Sequence, residues 1–115
     1  LLNNGVLNER QILSEEMIYR MFDNHSGDHE IQLESWDMGF GVEANWGLGF
    51  MVHPAGTSFG RGQGSASWGG IFNSYYWIDR EAGIAGIFAT QLFPFFDERV
   101  IKHYNAFESE VYKAL

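Results

Sequence analysis

Cysteine is absent from the 115 residues of this chain. Disulfide bonds, thiolate nucleophiles and metals held by cysteine are therefore excluded within it. Because a chain without cysteine is compatible with any redox compartment, the absence leaves the cellular localisation open.

Basic residues are also scarce. The chain has 7 Lys and Arg against 15 Asp and Glu, a formal net charge of -8 at pH 7, and this negative excess opposes attraction to phosphate backbones and anionic lipid. No apolar run reaches the roughly 20 residues needed to span a bilayer. We therefore expect neither nucleic acid nor a membrane among the partners.

Apolar side chains are abundant instead. Hydrophobic residues make up 45% of the chain and aromatic residues 17%, enough to build the core of one domain or of part of one. The opening Leu1-Leu2-Asn3-Asn4-Gly5 is typical of the last turn of a helix and the glycine that stops it. We interpret the chain as a piece of a longer protein; the alternative is a trimmed domain with a frayed apolar start.

Caps and apolar spacing predict two helices. Ser14, followed by two glutamates and helically spaced apolar residues, predicts a short helix from about Ser14 to Asp23. Asp97 is the predicted N-cap of a second helix, Glu98 to about Ala114. The predicted apolar stripe of that helix is Val100, Tyr104, Phe107 and Val111, and its polar side is Glu98, Lys102, Glu108, Ser109 and Lys113.

The middle of the chain predicts strands. Residues 64–78 form a glycine-rich approach to one long strand, and residues 84–91 form the strand that returns antiparallel to it after a polar loop. Residues 46–52 predict a strand weakened by its glycines, and residues 55–64 predict a flexible loop. The pattern over residues 31–45 is ambiguous and partly compatible with a strand. Because both faces of the predicted strands are apolar, we expect an α+β fold, an antiparallel β-sheet flanked by helices.

Two polar segments invite a ligand-binding interpretation. His25 and His29 are four residues apart among acidic residues, but Gly27 between them disfavours a helix that would aim both imidazoles at one metal. The glycines of residues 60–64 resemble a phosphate-binding loop, but no Lys-Ser/Thr pair follows and the loop leads into a strand. A solvated loop is favoured at the histidines, and nucleotide binding is disfavoured at the glycines, so we predict no metal and no cofactor.

The histidines His53 and His103 are candidate general bases. No serine has a convincing orienting context beside them, so ordinary packing or surface histidines are favoured. The paired Gly69 and Gly70 are more informative, because adjacent glycines inside a strand are costly and mark either a bulge or a close approach to the backbone.

An ordered set of motifs runs along the chain. It comprises Leu1-Leu-Asn-Asn-Gly5, Trp46-Gly-Leu-Gly-Phe50, Trp68-Gly-Gly70, Trp77-Ile-Asp79 and Pro94-Phe-Phe-Asp97. The set resembles the C-terminal portion of the serine β-lactamase-like superfamily, in its branch of family VIII carboxylesterases and lovastatin-type fungal acyltransferases. The resemblance implies the penicillin-binding protein fold, with residues 1–115 as the C-terminal segment of a single β-lactamase/transpeptidase-like α/β sandwich that is incomplete without an N-terminal segment.

Enzymes of that superfamily activate a serine through a Ser-x-x-Lys pair and a Tyr-x-Asn/Ser motif. No serine in this sequence has Lys three residues on, and no tyrosine has Asn or Ser two residues on. We therefore expect this chain alone to be inactive. The resemblance implies, as its partner, the missing N-terminal segment of the same protein or a complementing chain that carries the nucleophile.

The resemblance places Trp68-Gly69-Gly70 where true β-lactamases have Lys-Thr-Gly. It implies that the backbone N–H of Ile71 forms half of an oxyanion hole, and that Trp68 gives an apolar wall suited to neutral ester or acyl substrates. The implied function is the C-terminal part of a serine esterase, other serine hydrolase or acyltransferase. The alternatives are a non-catalytic binding or structural module, and a Trp-Gly-Gly segment that is only a packed strand with a bulge.

Overall fold

The computed structural model describes residues 1–29, 31 and 44–115, so the ambiguous stretch 31–45 lies almost entirely outside the described residues. In chain order the elements are β1 (Val6–Leu7), β2 (Arg10–Gln11), α1 (Glu15–Phe22), β3 (Asn45–Trp46), β4 (Met51–His53), β5 (Ser65–Gly70), β6 (Ser74–Asp79), β7 (Ile84–Phe88) and α2 (Glu98–Lys113). In the described ranges neither helix is long and apolar enough to cross a membrane.

Over the described residues the main sheet is a five-stranded meander in the order β3-β4-β5-β6-β7, with each strand antiparallel to the next. Gly70 lies opposite Ser74 at one end of the β5–β6 pair, and Asp79 lies opposite Ile84 where β6 turns into β7. The first two strands form a separate small hairpin. The predicted α+β class with an antiparallel sheet is confirmed.

The single long strand predicted over residues 64–78 is wrong, because the chain reverses at residues 71–73 and forms β5 and β6 instead. The N–H of Asn73 donates to the carbonyl of Gly70 at 2.9 Å, and Asn73 has a φ of 60°. Asparagine tolerates this left-handed conformation better than most residues. Ile71 and Phe72 continue the apolar pattern through the turn, which is why the pattern concealed it.

The strand predicted over residues 46–52 is also a hairpin, formed by β3 and β4. The N–H of Gly47 donates to the carbonyl of Phe50 at 2.9 Å, and Gly49 has a φ of 101°. These glycines therefore belong to the turn between β3 and β4 and do not weaken the interior of a single strand.

Helix α2 covers one face of the sheet. The ring of Tyr104 lies 4.9 Å from that of Tyr75 and 5.9 Å from that of Trp77, and all three side chains are buried. A Cβ on Gly86, the partner of Trp77 in β7, would lie 2.0 Å from the indole. The glycine in β7 therefore makes room for the largest side chain of this core.

The opposite face is covered by the N-terminal part of the chain. Phe50, Val52 and Ala66 form a second buried cluster, against which Leu1 and residues of α1 pack. Coverage is incomplete at the outer strand, where Ile87 is 74% exposed. The second face of the inner strands is thus covered within the described residues, and Met21 and Phe22 of the short helix contribute to that layer.

Both predicted helix caps are confirmed. The Ser14 hydroxyl accepts a hydrogen bond from the N–H of Met17 at 3.1 Å, and the Asp97 carboxylate accepts from the N–H groups of Arg99 and Val100. Each cap satisfies donors that the first turn of a helix leaves without a partner.

The predicted exposure of Glu108 is wrong. Its side chain is buried, and its Oε1 accepts hydrogen bonds from Arg61 Nε and Thr57 Oγ1, each at 2.9 Å. The acidic residue was assigned to the polar side of the helix by its charge, but a carboxylate paired with a guanidinium can be buried. This pair ties the loop between β4 and β5 to α2.

We expect Glu108→Ala to destabilise the fold by about 3–5 kcal/mol, because it leaves the buried Arg61 guanidinium without this carboxylate. Glu110→Ala is the matched control on the same helix, since Glu110 is exposed and its pair with Lys113 is solvated; its effect should stay below about 1 kcal/mol. Urea unfolding measures both free energies. Equal effects of the two substitutions would contradict a structural role for the buried pair.

Candidate functional site

The end of β5 extends past its neighbour on one side. Strand β4 pairs with β5 only at Ser65, Ala66 and Ser67, whereas β6 pairs with β5 as far as Gly70. Among the described residues, no strand pairs with the β4-facing edge of residues 68–70. Exposure rises along this stretch, from half-buried Trp68 to exposed Gly70.

The Gly70–Ile71 peptide has a defined orientation. Its carbonyl accepts the hydrogen bond from Asn73 that closes the turn. The N–H and C=O of a trans peptide point in opposite directions, so the N–H of Ile71 points away from the β5–β6 hairpin, toward the unpaired edge. This N–H has no hydrogen-bond acceptor among the described residues, and Ile71 itself is 60% exposed.

The two glycines of the motif have different surroundings. A Cβ on Gly69 would lie 2.6 Å from the ring of Tyr75, which no real Cβ contact allows. A Cβ on Gly70 would meet nothing nearer than the Ser74 carbonyl at 3.9 Å. Gly69 is therefore required by the packing of the sheet, while Gly70 leaves open space beside the strand.

Trp68 packs edge-on against Trp46, with ring centroids 4.6 Å apart and an interplanar angle of 87°. It also contacts both hydrophobic clusters. The side chain thus joins the end of β5 to β3, and its exposed part lies beside the two glycines.

His53 and Ser67 form a buried pair beneath α2, with 2.8 Å between His53 Nε2 and Ser67 Oγ. Burial, assisted by the nearby Arg61 guanidinium, lowers the pKa of His53 to about 3. The imidazole is therefore neutral at physiological pH, and it is inaccessible to a substrate. The prediction that His53 is a packing histidine is confirmed.

The other polar candidates serve the fold. His103 is exposed on α2, with 2.6 Å between its Nδ1 and the carbonyl of Arg99. His25 lies in the loop after α1, where its N–H donates to the carbonyl of Trp46 at 2.8 Å. Within the part of the chain that the structure describes, no three His, Asp or Glu side chains are grouped to hold a metal ion.

The glycine loop at 60–64 binds a carboxylate of its own chain. The N–H of Gly62 donates to Asp79 Oδ2 at 2.7 Å, and the same oxygen accepts from the hydroxyl of Tyr112 at 2.8 Å. The second oxygen of Asp79 accepts from the N–H of Ala82 at 2.9 Å. The resemblance to an anion-binding loop therefore reflects an internal contact.

Sequence reasoning missed Asn73, which is fully buried at the turn beside Ile71. The polar pair Asn73-Ser74 between Ile71-Phe72 and Tyr75-Tyr76 is a signal for a turn, but the surrounding strand pattern outweighed it. Sequence reasoning also missed an apolar cavity of about 430 Å³ on the other side of the sheet. Its lining includes Leu2, Val6, Leu13, Ile78 and Ala85, which places it at the far end of β6 from Ile71.

The sequence profile of the Beta-lactamase family matches residues 5–110. The chain therefore belongs to the beta-lactamase family, as the ordered motifs predicted.

Among curated proteins, the acyltransferase calJ of Penicillium decumbens is 40% identical to this chain over 48 residues, which are 42% of this chain and 12% of that protein. The unliganded selenomethionyl structure of simvastatin synthase LovD from Aspergillus terreus superimposes with a TM-score of 0.76 at 21% identity, over 90% of this chain and 30% of LovD. A second unliganded LovD structure gives 0.73 at 23% identity, over 89% and 30% of the two chains. The chain thus has the LovD-type β-lactamase fold and spans less than a third of these relatives.

Substituting the two glycines should separate their roles. We expect Gly69→Ala to lower the free energy of unfolding by about 1–3 kcal/mol, because the Cβ collides with the Tyr75 ring. Gly70→Ala should change it by less than about 1 kcal/mol, since nothing occupies that space. Urea titrations of both variants measure the difference, and equal destabilisation would show that Gly70 is also a packing glycine.

The lowered pKa of His53 predicts acid sensitivity. In the unfolded chain His53 becomes protonated as the pH falls below its ordinary pKa of 6.5. In the folded chain its pKa is about 3, so it stays neutral down to that pH. The contribution of neutral His53 to the free energy of unfolding is therefore fully present above the unfolded pKa and is lost as the pH falls. Between pH 7 and pH 5 this loss is about 2 kcal/mol. His53→Gln should remove this part of the pH dependence in urea unfolding. If His53→Gln leaves the slope of unfolding free energy against pH unchanged, the assignment is wrong.

Proposed function

We propose that this chain is the C-terminal part of a serine hydrolase or acyltransferase, to which it supplies the backbone N–H of Ile71 as one donor of an oxyanion hole. The observation that carries this proposal is the hydrogen bond from Asn73 to the carbonyl of Gly70, which turns the N–H of Ile71 outward at an unpaired strand edge. Membership of the beta-lactamase family supports it, as does the open space at Gly70.

The nucleophile must come from outside these 115 residues, which contain no Ser-x-x-Lys pair. The LovD chain is more than three times as long as the part that this chain covers. We infer that the serine and its activating Lys and Tyr lie in an N-terminal segment of the same protein, or in a complementing chain. His53 and Ser67 are not a substitute, because both are buried beneath α2.

In the proposed reaction the serine Oγ attacks the carbonyl carbon of an ester and gives its proton to the general base. The electron pair of the C=O bond moves to oxygen, and the N–H of Ile71 donates to that oxyanion. When the oxyanion collapses, the bond to the leaving alkoxide breaks, the protonated general base returns its proton to that alkoxide, and an acyl-enzyme remains. Water or a second alcohol then gives its proton to the same base and attacks the acyl carbonyl, and the second tetrahedral intermediate expels the serine oxygen, which takes the proton back.

Neutral ester or acyl compounds are the proposed substrates. Trp68 offers no charge where a lysine would bind the carboxylate of a lactam. Ile71 and Phe72 are 60% and 49% exposed beside the unpaired edge, which gives the approach an apolar character. The names of the two relatives, acyltransferase calJ and simvastatin synthase LovD, are compatible with acyl transfer.

Ile71→Pro tests this function in the complete protein. Ile71 is the second residue of a turn closed by an i to i+3 hydrogen bond, a position that proline favours, so the substitution removes little besides the N–H. We expect kcat for hydrolysis of a simple aryl ester to fall by about 10²- to 10³-fold, the usual cost of losing one oxyanion donor. Steady-state kinetics measure the loss.

Ile71→Ala is the matched control, since it retains the N–H and should keep kcat within about three-fold. Labelling of the complete protein by a serine-directed fluorophosphonate shows whether a reactive serine is present at all. No labelling and no turnover would favour a non-catalytic module, and full activity of folded Ile71→Pro would overturn the role of this amide.

A further inference from the structure

We propose that Asn73 is a positioning residue for acyl transfer, which fixes the plane of the Gly70–Ile71 peptide and thereby the direction of the Ile71 N–H. This inference rests on the proposed function of that N–H. It assigns a role to a residue that touches neither the substrate nor the nucleophile in the proposed reaction.

The side chain of Asn73 uses its full hydrogen-bonding capacity. Its Nδ2 donates to the carbonyls of Leu92 and Pro94, each at 2.8 Å, while its Oδ1 accepts from the hydroxyl of Tyr75 at 2.8 Å and from the N–H of Asp97 at 3.1 Å. One terminal atom of the Asn73 amide contacts two carbonyl oxygens and must be the nitrogen. The other accepts from an N–H and must be the oxygen. A buried asparagine satisfied in this way has one orientation.

These bonds join the turn to three other parts of the fold. Tyr75 belongs to β6, Leu92 and Pro94 to the segment after β7, and Asp97 is the N-cap of α2. The side chain of Asn73 therefore connects the turn by hydrogen bonds to the rigid elements on its buried side. Because the side chain is 0% exposed, water cannot easily replace any of these bonds.

The neighbouring peptides are held as well. Thr90 Oγ1 lies 2.8 Å from the carbonyl of Phe72 and 2.9 Å from that of Asn73, and the N–H of Leu92 donates to the Phe72 carbonyl at 3.2 Å. The peptide between Gly70 and Ile71 is in turn held by the N–H of Asn73 at 2.9 Å. The carbonyls of Gly70, Phe72 and Asn73 are thus each held by a donor, while the N–H of Ile71 has no acceptor among the described residues.

Precision of this kind matters for an oxyanion donor. A donor contributes when it lies about 2.7–3.1 Å from the position of the developing charge, and a displacement of about 1 Å can cost about 100-fold in rate. The positive φ of Asn73 adds a second requirement, since most side chains are strained there. Asparagine therefore provides both the turn conformation and the fastening.

Asn73→Gly in the complete protein separates these contributions, because glycine accepts a positive φ and only the four side-chain hydrogen bonds are lost. We expect kcat for aryl-ester hydrolysis to fall about 10- to 100-fold with KM within about two-fold, the pattern of an interaction needed only in the transition state. Tyr112→Phe is the control: it removes a hydrogen bond to Asp79 at the opposite end of β6 and should leave kcat within about two-fold.

Thr90→Val gives a second measurement if Asn73→Gly fails to fold, since it removes only the hydroxyl that holds the Phe72 and Asn73 carbonyls. We expect a smaller fall in kcat, about 3- to 10-fold, again with little change in KM. Unchanged kcat in the folded variants, or a fall matched by Tyr112→Phe, would overturn the inference. If Ile71→Pro is inactive while Asn73→Gly is fully active, positioning by Asn73 fails and the proposed function stands; if Ile71→Pro is active, the proposed function itself fails.

Discussion

The hydrogen bond from the N–H of Asn73 to the carbonyl of Gly70 is the contact on which the rest of the site depends. It ends β5, starts β6 and sets the plane of the intervening peptide. The β5–β6 pairing on either side of this turn places Trp77 opposite Ser67, on the face that α2 covers. One turn therefore determines both the core packing and the direction of the amide to which we assign a chemical role.

The support around this turn is polar, with Asn73 buried and Thr90 half-buried, whereas the outward side is apolar and exposed. Asn73 and Thr90 occupy the inner side, and Ile71 and Phe72 the outer side. Rigid support behind an open face is the arrangement that preorganised sites require, because the donor is oriented before a substrate arrives. The same division separates Gly69, fitted against Tyr75, from Gly70, which faces open space.

The helices and the fold class were predictable because local signals determine them: Ser14 and Asp97 are caps followed by helically spaced apolar residues. The strand boundaries were not. The turn at Gly47–Phe50 consists of glycine and apolar residues, and the apolar Ile71 and Phe72 continue the period-two pattern up to Asn73, which closes the second turn. The buried position of Glu108 depends on Arg61, which is distant in sequence and becomes a partner only in the fold. The family could be recognised from ordered motifs, but the support supplied by Asn73 needed coordinates.

The meander has a consequence for how the protein is made. Among the described residues, each strand of the main sheet pairs with the next strand in the chain, so each of these pairings closes a loop between consecutive strands. Hairpins of this kind assemble within about 1–10 μs, long before a ribosome adds the next residue. These pairings can therefore form before α2, which follows β7 in the chain, and the sheet becomes stable only when Tyr104 of that helix covers Tyr75 and Trp77.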